Sequence, residues 1–160
     1  MELRGKSFSH SSRDKRWNGR FTFPTTITSS GFTVGQIFGT GDYSKPILRI
    51  AYIASRNGLK DHLWAVYKNH PSGSPPSSYK ELGPVSAGTM YNVKMRYRPG
   101  GSNKITLYFK NESTGAEISW DNTLASAWRQ SGSEVYFKAG CYLQKDGDCK
   151  VDFSGLYFDD

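Results

Sequence analysis

Short stretches of alternating apolar and polar residues, each ended by glycine, proline, serine or asparagine, constrain this chain more than any other feature. No long segment has the helical period of 3.6 residues, although one helical turn is predicted at Asn122–Trp128. Turns are predicted at Pro71–Ser78, Pro99–Asn103 and Lys145–Asp148. The pattern predicts an all-β sandwich or jelly roll rather than a βαβ fold. The predicted strands are Arg20–Thr25, Thr33–Phe38, Ile47–Ala54, His62–Lys68, Met90–Arg98, Lys104–Phe109, Glu134–Gln144 and Lys150–Phe158.

The charge of the chain restricts its partners. Its 160 residues carry 21 lysines and arginines against 14 aspartates and glutamates, a formal net charge of +7. This excess favours a polyanion, which is nucleic acid, anionic lipid or acidic polysaccharide. The length suits one domain over residues 1–160, without a linker or repeat. No apolar run approaches the roughly 20 residues of a membrane-spanning helix. The polar start Met1–Lys6 differs from a signal peptide, so an exported form would have its leader outside this chain.

Cysteine and histidine usage argues against a metal centre. The chain has neither a CxxC pair nor a Cys/His cluster, and we expect no metal and no cofactor. Cys141 and Cys149 flank a predicted turn, so a disulfide in an oxidising compartment and a free, packed Cys141 thiol both stay open. The histidines are scattered at His10, His62 and His70.

The strand predicted at Met90–Arg98 has two distinct faces. Its apolar face carries Tyr91, Val93, Met95 and Tyr97, and its other face carries Asn92, Lys94, Arg96 and Arg98. The three cations suit either an anionic-ligand surface or a solvated outer face. We favour the solvated face, because outer strands are commonly charged.

The segment Tyr136–Gln144, with the sequence YFKAGCYLQ, predicts a strand that binds a ligand. A period of two directs one set toward a core, namely Phe137, Ala139, Cys141 and Leu143. The other face then holds Tyr136, Lys138, Gly140, Tyr142 and Gln144. Two phenols, an ammonium and an amide make this face a hydrogen-bonding floor, and Gly140 lets a ligand approach the backbone.

The same segment resembles the YFKAGxYxQ pattern of the family 7 alginate lyases. Glu2–Arg4 is similar to the end of that family's R-[ST]-E-L-R block. Gly35–Gly39, GQIFG, stands in the place of GQIHG, and Lys45–Arg49, KPILR, is similar to KPLxK. The resemblance covers essentially the whole chain. It implies a β-jelly roll sandwich of two antiparallel sheets with a concave groove.

The resemblance implies a polysaccharide lyase that cleaves a 1,4-linked polyuronate by β-elimination. The C5 proton of a uronate is acidic only when the adjacent carboxylate is neutralised. By resemblance, Gln36 and Arg4 engage that carboxylate, and Tyr142 acts as acid and, where cations stabilise its phenolate, as base. Further groove residues are expected to be Lys138, Gln144, Tyr136, Glu2 and Arg49. The alternatives are a buried, satisfied amide at Gln36, an Arg4–Glu2 surface ion pair and a surface position for Arg49.

Two departures from the family pattern bear on activity. Phe38 replaces the histidine of the family's QIH motif, and Met1 stands where serine or threonine belongs, so we expect the chain to lack the family's N-terminal strands. In mannuronate and glucuronate the C5 proton and O4 leave from one side, and a single tyrosine serves both. We therefore expect mannuronate- or glucuronate-type polymers to be preferred over guluronate. His62 or His70 is the alternative source of a second group.

Several functions remain as alternatives. A non-catalytic binding module for anionic polysaccharide on the same fold is the first. Nucleic-acid binding is disfavoured because no known motif is present, and a glycoside hydrolase would need a carboxylate pair that the Tyr136–Gln144 strand does not offer. We expect a secreted or periplasmic monomer that acts on an acidic polysaccharide, with neither nucleic acid nor membrane as partner.

Overall fold

A computed structural model describes residues 2–10, 13–24, 26–41, 44–72, 76–99, 103–129 and 133–159. Met1, Thr25 and parts of the turns predicted at 71–78 and 99–103 lie outside them. A short 3-10 helix spans Ser126–Arg129. The strands are β1 Glu2–Arg4, β2 Phe8–Ser9, β3 Lys15–Thr22, β4 Gly31–Gly39, β5 Pro46–Arg56, β6 Leu59–Tyr67, β7 Ser78–Pro84, β8 Met90–Arg98, β9 Lys104–Asn111, β10 Glu117–Thr123, β11 Glu134–Leu143 and β12 Asp152–Asp159.

The strands form two antiparallel sheets. The seven-stranded sheet has the order β1-β11-β4-β5-β6-β7, and β2 also pairs with β11. The five-stranded sheet has the order β10-β9-β8-β3-β12. The predicted all-β class is confirmed. The described residues contain no helix of the length and apolar character that crossing a bilayer requires.

The core lies between the inner faces of the two sheets. Strand β8 shows how the sequence directs side chains into this core. Its apolar residues alternate with polar ones and are all fully buried, namely Tyr91, Val93, Met95 and Tyr97. Burial of such side chains contributes roughly 1.5–3 kcal/mol each. Trp17 of β3 is also fully buried, and its indole lies against Gly35 of β4 in the opposite sheet. A tryptophan fits there because the glycine has no side chain.

Four strands were not predicted, namely β1, β2, β7 and β10. Strand β3 begins at Lys15 rather than Arg20, and the helical turn is displaced from Asn122–Trp128 to Ser126–Arg129. A disulfide joins Cys141 and Cys149, whose Cα atoms are 6.1 Å apart. It settles the two alternatives for these cysteines, and Cys141 also packs against the core, as its face predicted.

Candidate functional site

A row of polar side chains crosses the outer face of the seven-stranded sheet. In the antiparallel register Arg4 lies opposite Lys138, Lys138 opposite Gln36, and Gln36 opposite Arg49. Directly opposed residues have Cβ atoms roughly 4.5–5.5 Å apart. The row therefore brings residues from β1, β11, β4 and β5 into one surface, although they lie far apart in sequence.

The carboxylate of Glu2 occupies the centre of this row. Gln36 donates from Nε2 to Oε1 at 3.1 Å, and Lys138 donates from Nζ to Oε2 at 3.2 Å. The amide of Gln36 is nearly buried at 4% exposure, so its orientation is fixed by this partner. Lys138 and Glu2 form a partly exposed ion pair. Gln36, which the sequence analysis assigned to the uronate carboxylate, and Lys138, which it placed in the groove, thus both donate to a carboxylate of the chain itself.

Arg4 does not pair with Glu2, so this alternative from the sequence is wrong. Its guanidinium lies 3.8 Å from the ring centroid of Tyr136, and Nη2 donates to the hydroxyl of Ser7 at 3.2 Å. Tyr136 is buried and packs 5.5 Å from Phe38. The Lys138 ammonium lies 4.9 Å above the Phe38 ring. Phe38 therefore supplies an aromatic face that attracts a cation.

Tyr142 extends from the same sheet face with half of its surface exposed. It lies opposite Thr33 on β4, and Thr33 and Gln36 are successive outward positions on that strand. Tyr142 and Lys138 are consequently separated by about 7–10 Å along the sheet. A β-bulge lies between Ala139 and Tyr142 and contains Gly140, whose φ of 142° belongs to glycine.

A cavity of about 250 Å³ adjoins the row on the side of β5. Arg49 donates from Nη1 to Oε1 of Gln144 at its edge, at 2.5 Å. Burial lowers the pKa of the Arg49 guanidinium, and the phenols of Tyr79 and Tyr142 act in the opposite direction. The cavity has a mixed polar and apolar lining, which includes Arg49, Arg56, Tyr79, Gln144, Ala51 and Val66.

The structure places all eight predicted site residues on or beside this face. Gln144 follows β11 rather than ending it, and its backbone N–H donates to the carbonyl of Gly31 at 2.9 Å. The sequence analysis missed Arg56, whose guanidinium lies 3.3 Å from the ring centroid of Tyr79. It also missed Thr33, which is 2% exposed and whose hydroxyl has no hydrogen-bond partner among the described residues. Tyr79 lies in β7, a strand that was not predicted, so no periodicity signal indicated the contact between Arg56 and Tyr79.

The histidines lie away from Tyr142. His62 is on β6, three strands or about 14 Å from β11, and its Nε2 lies 3.6 Å from Glu81. His70 contacts Ser72 after the end of β6. Within the described ranges, no three His, Cys, Asp or Glu side chains gather as metal ligands would.

One protein family matches the chain along its whole length. A family model described as alginate lyase covers residues 1–160. The chain belongs to the alginate lyase family. This alginate lyase family member is 27% identical over 130 residues to an alginate lyase from Photobacterium sp. (strain ATCC 43367). That match covers 75% of this chain and 45% of the relative, so the chain spans about half of the curated protein.

Solved structures share the fold of this alginate lyase family member. An alginate lyase from Pseudomonas aeruginosa superposes with a TM-score of 0.75 at 18% identity, over 98% of this chain and 72% of the other. Alginate lyase AlyC3 in complex with dimannuronate superposes with a TM-score of 0.72 at 17% identity, over 98% of this chain and 68% of the other. The predicted jelly roll is confirmed.

Proposed function

We propose that this alginate lyase family member cleaves a 1,4-linked polyuronate by β-elimination, with Tyr142 as acid and base. One observation carries the proposal: Gln36 and Lys138 already hold a carboxylate, that of Glu2, beside an exposed phenol. The disulfide between Cys141 and Cys149 supports a secreted or periplasmic location, since such bonds persist in oxidising compartments.

Each donor has N–H groups that Glu2 does not use, and the Lys138 side chain is partly exposed. An ammonium has three N–H groups and an amide has two, and Glu2 accepts one from each. In the proposed complex the remaining donors neutralise the uronate carboxylate, which makes the C5 proton acidic. Arg4 stacks on Tyr136, and its charge lies on the same sheet face as Lys138 and Gln36. Its role is to keep the potential of the row positive.

The elimination balances with one tyrosine. The phenolate of Tyr142 takes the C5 proton, the C4–C5 double bond forms, and the bond from C4 to O4 breaks. The same proton then passes from the phenol to the departing O4, which restores the phenolate. General acid–base catalysis of this kind contributes about 10²–10⁴-fold.

The preferred polymer follows from the ring face that Tyr142 reaches. In mannuronate and glucuronate the C5 proton and O4 lie on that one face, whereas in guluronate they lie on opposite faces. Phe38 offers no titratable group, and His62 is three strands from β11. We therefore propose a preference for mannuronate-type alginate or for glucuronan. The dimannuronate complex of AlyC3, a protein of the same fold, supports a mannuronate-type ligand.

A panel of polymannuronate, polyguluronate and glucuronan tests the proposal through the ultraviolet absorbance of the unsaturated product. We expect polymannuronate or glucuronan to be cleaved fastest, and Tyr142→Phe to lower kcat by about 10²-fold or more. Tyr157→Phe is the matched control, because it removes an exposed phenolic hydroxyl from the other sheet and keeps the aromatic ring. Faster cleavage of polyguluronate would refute the single-tyrosine argument.

A non-catalytic binding module is the second candidate. The occupation of the Gln36 and Lys138 donors by Glu2, together with Phe38 in place of histidine, favours it. Binding of polymannuronate without unsaturated product, equal for the wild type and Tyr142→Phe, would establish this function instead.

A further inference from the structure

The outer face of the five-stranded sheet carries a second row of ligand-type side chains. The register aligns Tyr157 with Asn18, Asn18 with Lys94, Lys94 with Tyr108, and Tyr108 with Ser119. This row, which we name the back row, crosses all five strands. It points away from the candidate site, because the core lies between the two sheets.

Two adjoining hollows follow the back row. One, of about 500 Å³, is lined by residues of β3, β8, β9 and β10, including Arg16, Arg96, Arg98 and Tyr108. The other, of about 350 Å³, lies toward β12 and is lined by residues that include Tyr157 and Arg20. Asn18 and Lys94 line both, so the two form one trough across the sheet.

The charges along the trough are only partly neutralised. Arg96 and Arg98 both form ion pairs with Asp14, and Arg20 pairs with Glu112 at 2.7 Å. Arg16 and Lys94 form no ion pair with any residue that the structure describes. The larger hollow is lined by four cations and one carboxylate, Asp121, so its lining carries a net positive charge.

Of the two tyrosines of the back row, Tyr157 has the exposure that sugar stacking needs, at 55%. Tyr108 is partly buried, and the Lys94 ammonium lies over its ring, 5.2 Å from the centroid. The two tyrosines are three strands apart, or about 14 Å. Asn18, Ser119 and Thr106 supply hydrogen-bonding groups between and beside them.

We propose that the back row is a second binding site for an acidic polysaccharide, which anchors the polymer on the face opposite the cleavage groove. Tyr157 receives a sugar face, Tyr108 positions Lys94, Lys94 and Arg16 receive carboxylates, and Asn18 and Ser119 receive hydroxyls. Naming the polyuronate as occupant rests on the proposed function, whereas the binding chemistry rests on the trough alone. Aromatic faces beside unpaired cations and neutral hydrogen-bonding groups suit a carboxylated sugar chain.

The test uses ¹⁵N-labelled protein carrying Tyr142→Phe, so that the ligand is not cleaved. Titration with a tetramannuronate should shift two sets of amide signals, one around Lys138 and one around Asn18, Lys94 and Tyr157. Lys94→Ala should remove the second set and leave the first. Lys80→Ala, which removes the same charge from β7 of the other sheet, should leave both sets.

Affinity and turnover give a second readout. Lys94→Ala with Tyr108→Ala should weaken binding of long polymannuronate about tenfold, which corresponds to about 1.4 kcal/mol. Cleavage of short oligomers by the Tyr142-containing protein should stay unchanged, since the back row is on the other sheet. Circular dichroism of the variants verifies that they are folded.

Three results would overturn the proposal. They are amide shifts confined to the surroundings of Lys138, polymer affinity unaffected by the double substitution, and equally tight binding of single-stranded DNA of the same charge. Failure of the proposed function gives a different result. The wild type would then form no unsaturated product, whether or not the back row binds a ligand.

Discussion

Burial decides what each polar side chain of the candidate site can do. Gln36 is almost fully buried and its amide donates to Glu2, so its position is fixed. Tyr142 is half exposed, so its phenol can meet a ligand. Buried polar groups that keep their partners give a site its geometry, and exposed groups beside them carry out the chemistry. Fixed donors and an accessible acid therefore coexist on neighbouring strands.

His10 makes stability depend on pH. Burial lowers the pKa of the His10 imidazole, and the charge of Arg129 lowers it further; Nδ1 lies 2.7 Å from the hydroxyl of Tyr97. The unfolded chain protonates His10 near its ordinary pKa of 6.5, whereas the folded chain does so only at lower pH. The contribution of His10 to the free energy of unfolding is thus fully present above pH 6.5. It is lost as the pH falls through the pKa of His10 in the folded protein.

Replacement of His10 by glutamine should remove this dependence. Urea unfolding between about pH 7.5 and about pH 5.5 should show a smaller loss for His10→Gln than for the wild type, with a difference of at most about 1.4 kcal/mol per pH unit. If the free energy of unfolding fell equally with pH in the two proteins, His10 would not be the source of the pH dependence.

Strand β11 shows how an element positions a functional residue. Its first half follows a regular alternation, and its second half carries the bulge at Gly140 and the disulfide at Cys141. Bulges bend a strand and redirect the side chain that follows. Tyr142 is that side chain, so the direction of its phenol depends on both features.

Gly140→Ala should misplace Tyr142. A residue with a Cβ is strained at φ 142°, and we expect a loss of about 1–3 kcal/mol in the free energy of unfolding, with kcat lowered about tenfold or more. Gly155→Ala is the matched control. It also lies in a bulge, but in β12, and an added Cβ would meet its nearest neighbour at 3.7 Å. Equal effects of the two substitutions would argue against strain at Gly140.

The disulfide should stabilise the end of β11 by restricting the unfolded chain. Cys141 and Cys149 are 8 residues apart, and a loop of this length corresponds to about 2–3 kcal/mol. We expect the Cys141→Ser/Cys149→Ser variant to unfold at correspondingly lower urea concentration. Its midpoint should be insensitive to dithiothreitol, whereas that of the wild type should fall; a wild-type midpoint unchanged by reductant would contradict the expectation.

The strands that the sequence predicted are those with a strong apolar face. Strand β8 was predicted with its observed bounds, because four buried side chains alternate with polar ones. Strand β10 was missed, since Ile118 and Trp120 are its only apolar residues and it lies at a sheet edge. Strand β7, at the edge of the other sheet, was missed for the same reason. Edge strands have few core contacts, so their sequences carry little periodicity.

The site was predictable along one strand and not across strands. Alternation placed Tyr136, Lys138 and Tyr142 on one face of β11. The pairing of Lys138 with Gln36 depends on register, which alternation within a single strand does not contain. The family resemblance supplied Gln36, Glu2 and Arg4. It did not supply the Glu2 carboxylate bridge, which only the packed structure reveals.

At the scale of the whole molecule, the two sheets approach each other closely where Trp17 meets Gly35. A Cβ added to Gly35 would lie 2.7 Å from the indole ring, closer than packing allows. Interiors are close-packed, and excess volume forces side chains or backbone to move. Gly35 also precedes Gln36, so any movement there reaches the site.

Gly35→Ala should therefore destabilise the protein by about 1–3 kcal/mol and weaken binding of polymannuronate. Gly31→Ala on the same strand is the control, because an added Cβ would meet its nearest neighbour, the flexible Lys145 side chain, at 3.5 Å. Urea unfolding of both variants gives the comparison. If the Gly35→Ala protein were as stable as the Gly31→Ala protein, the sheets would be able to move apart at this point without loss of stability.

Each sheet is completed by residues near the end of the chain. Strand β11 separates β1 and β2 from the rest of the seven-stranded sheet, and β12 is the outer neighbour of β3. On the ribosome the earliest strands therefore emerge long before their partners exist. Pairings so distant in sequence form slowly. Both sheets of the nascent chain thus stay incomplete until β11 and β12 have been synthesised.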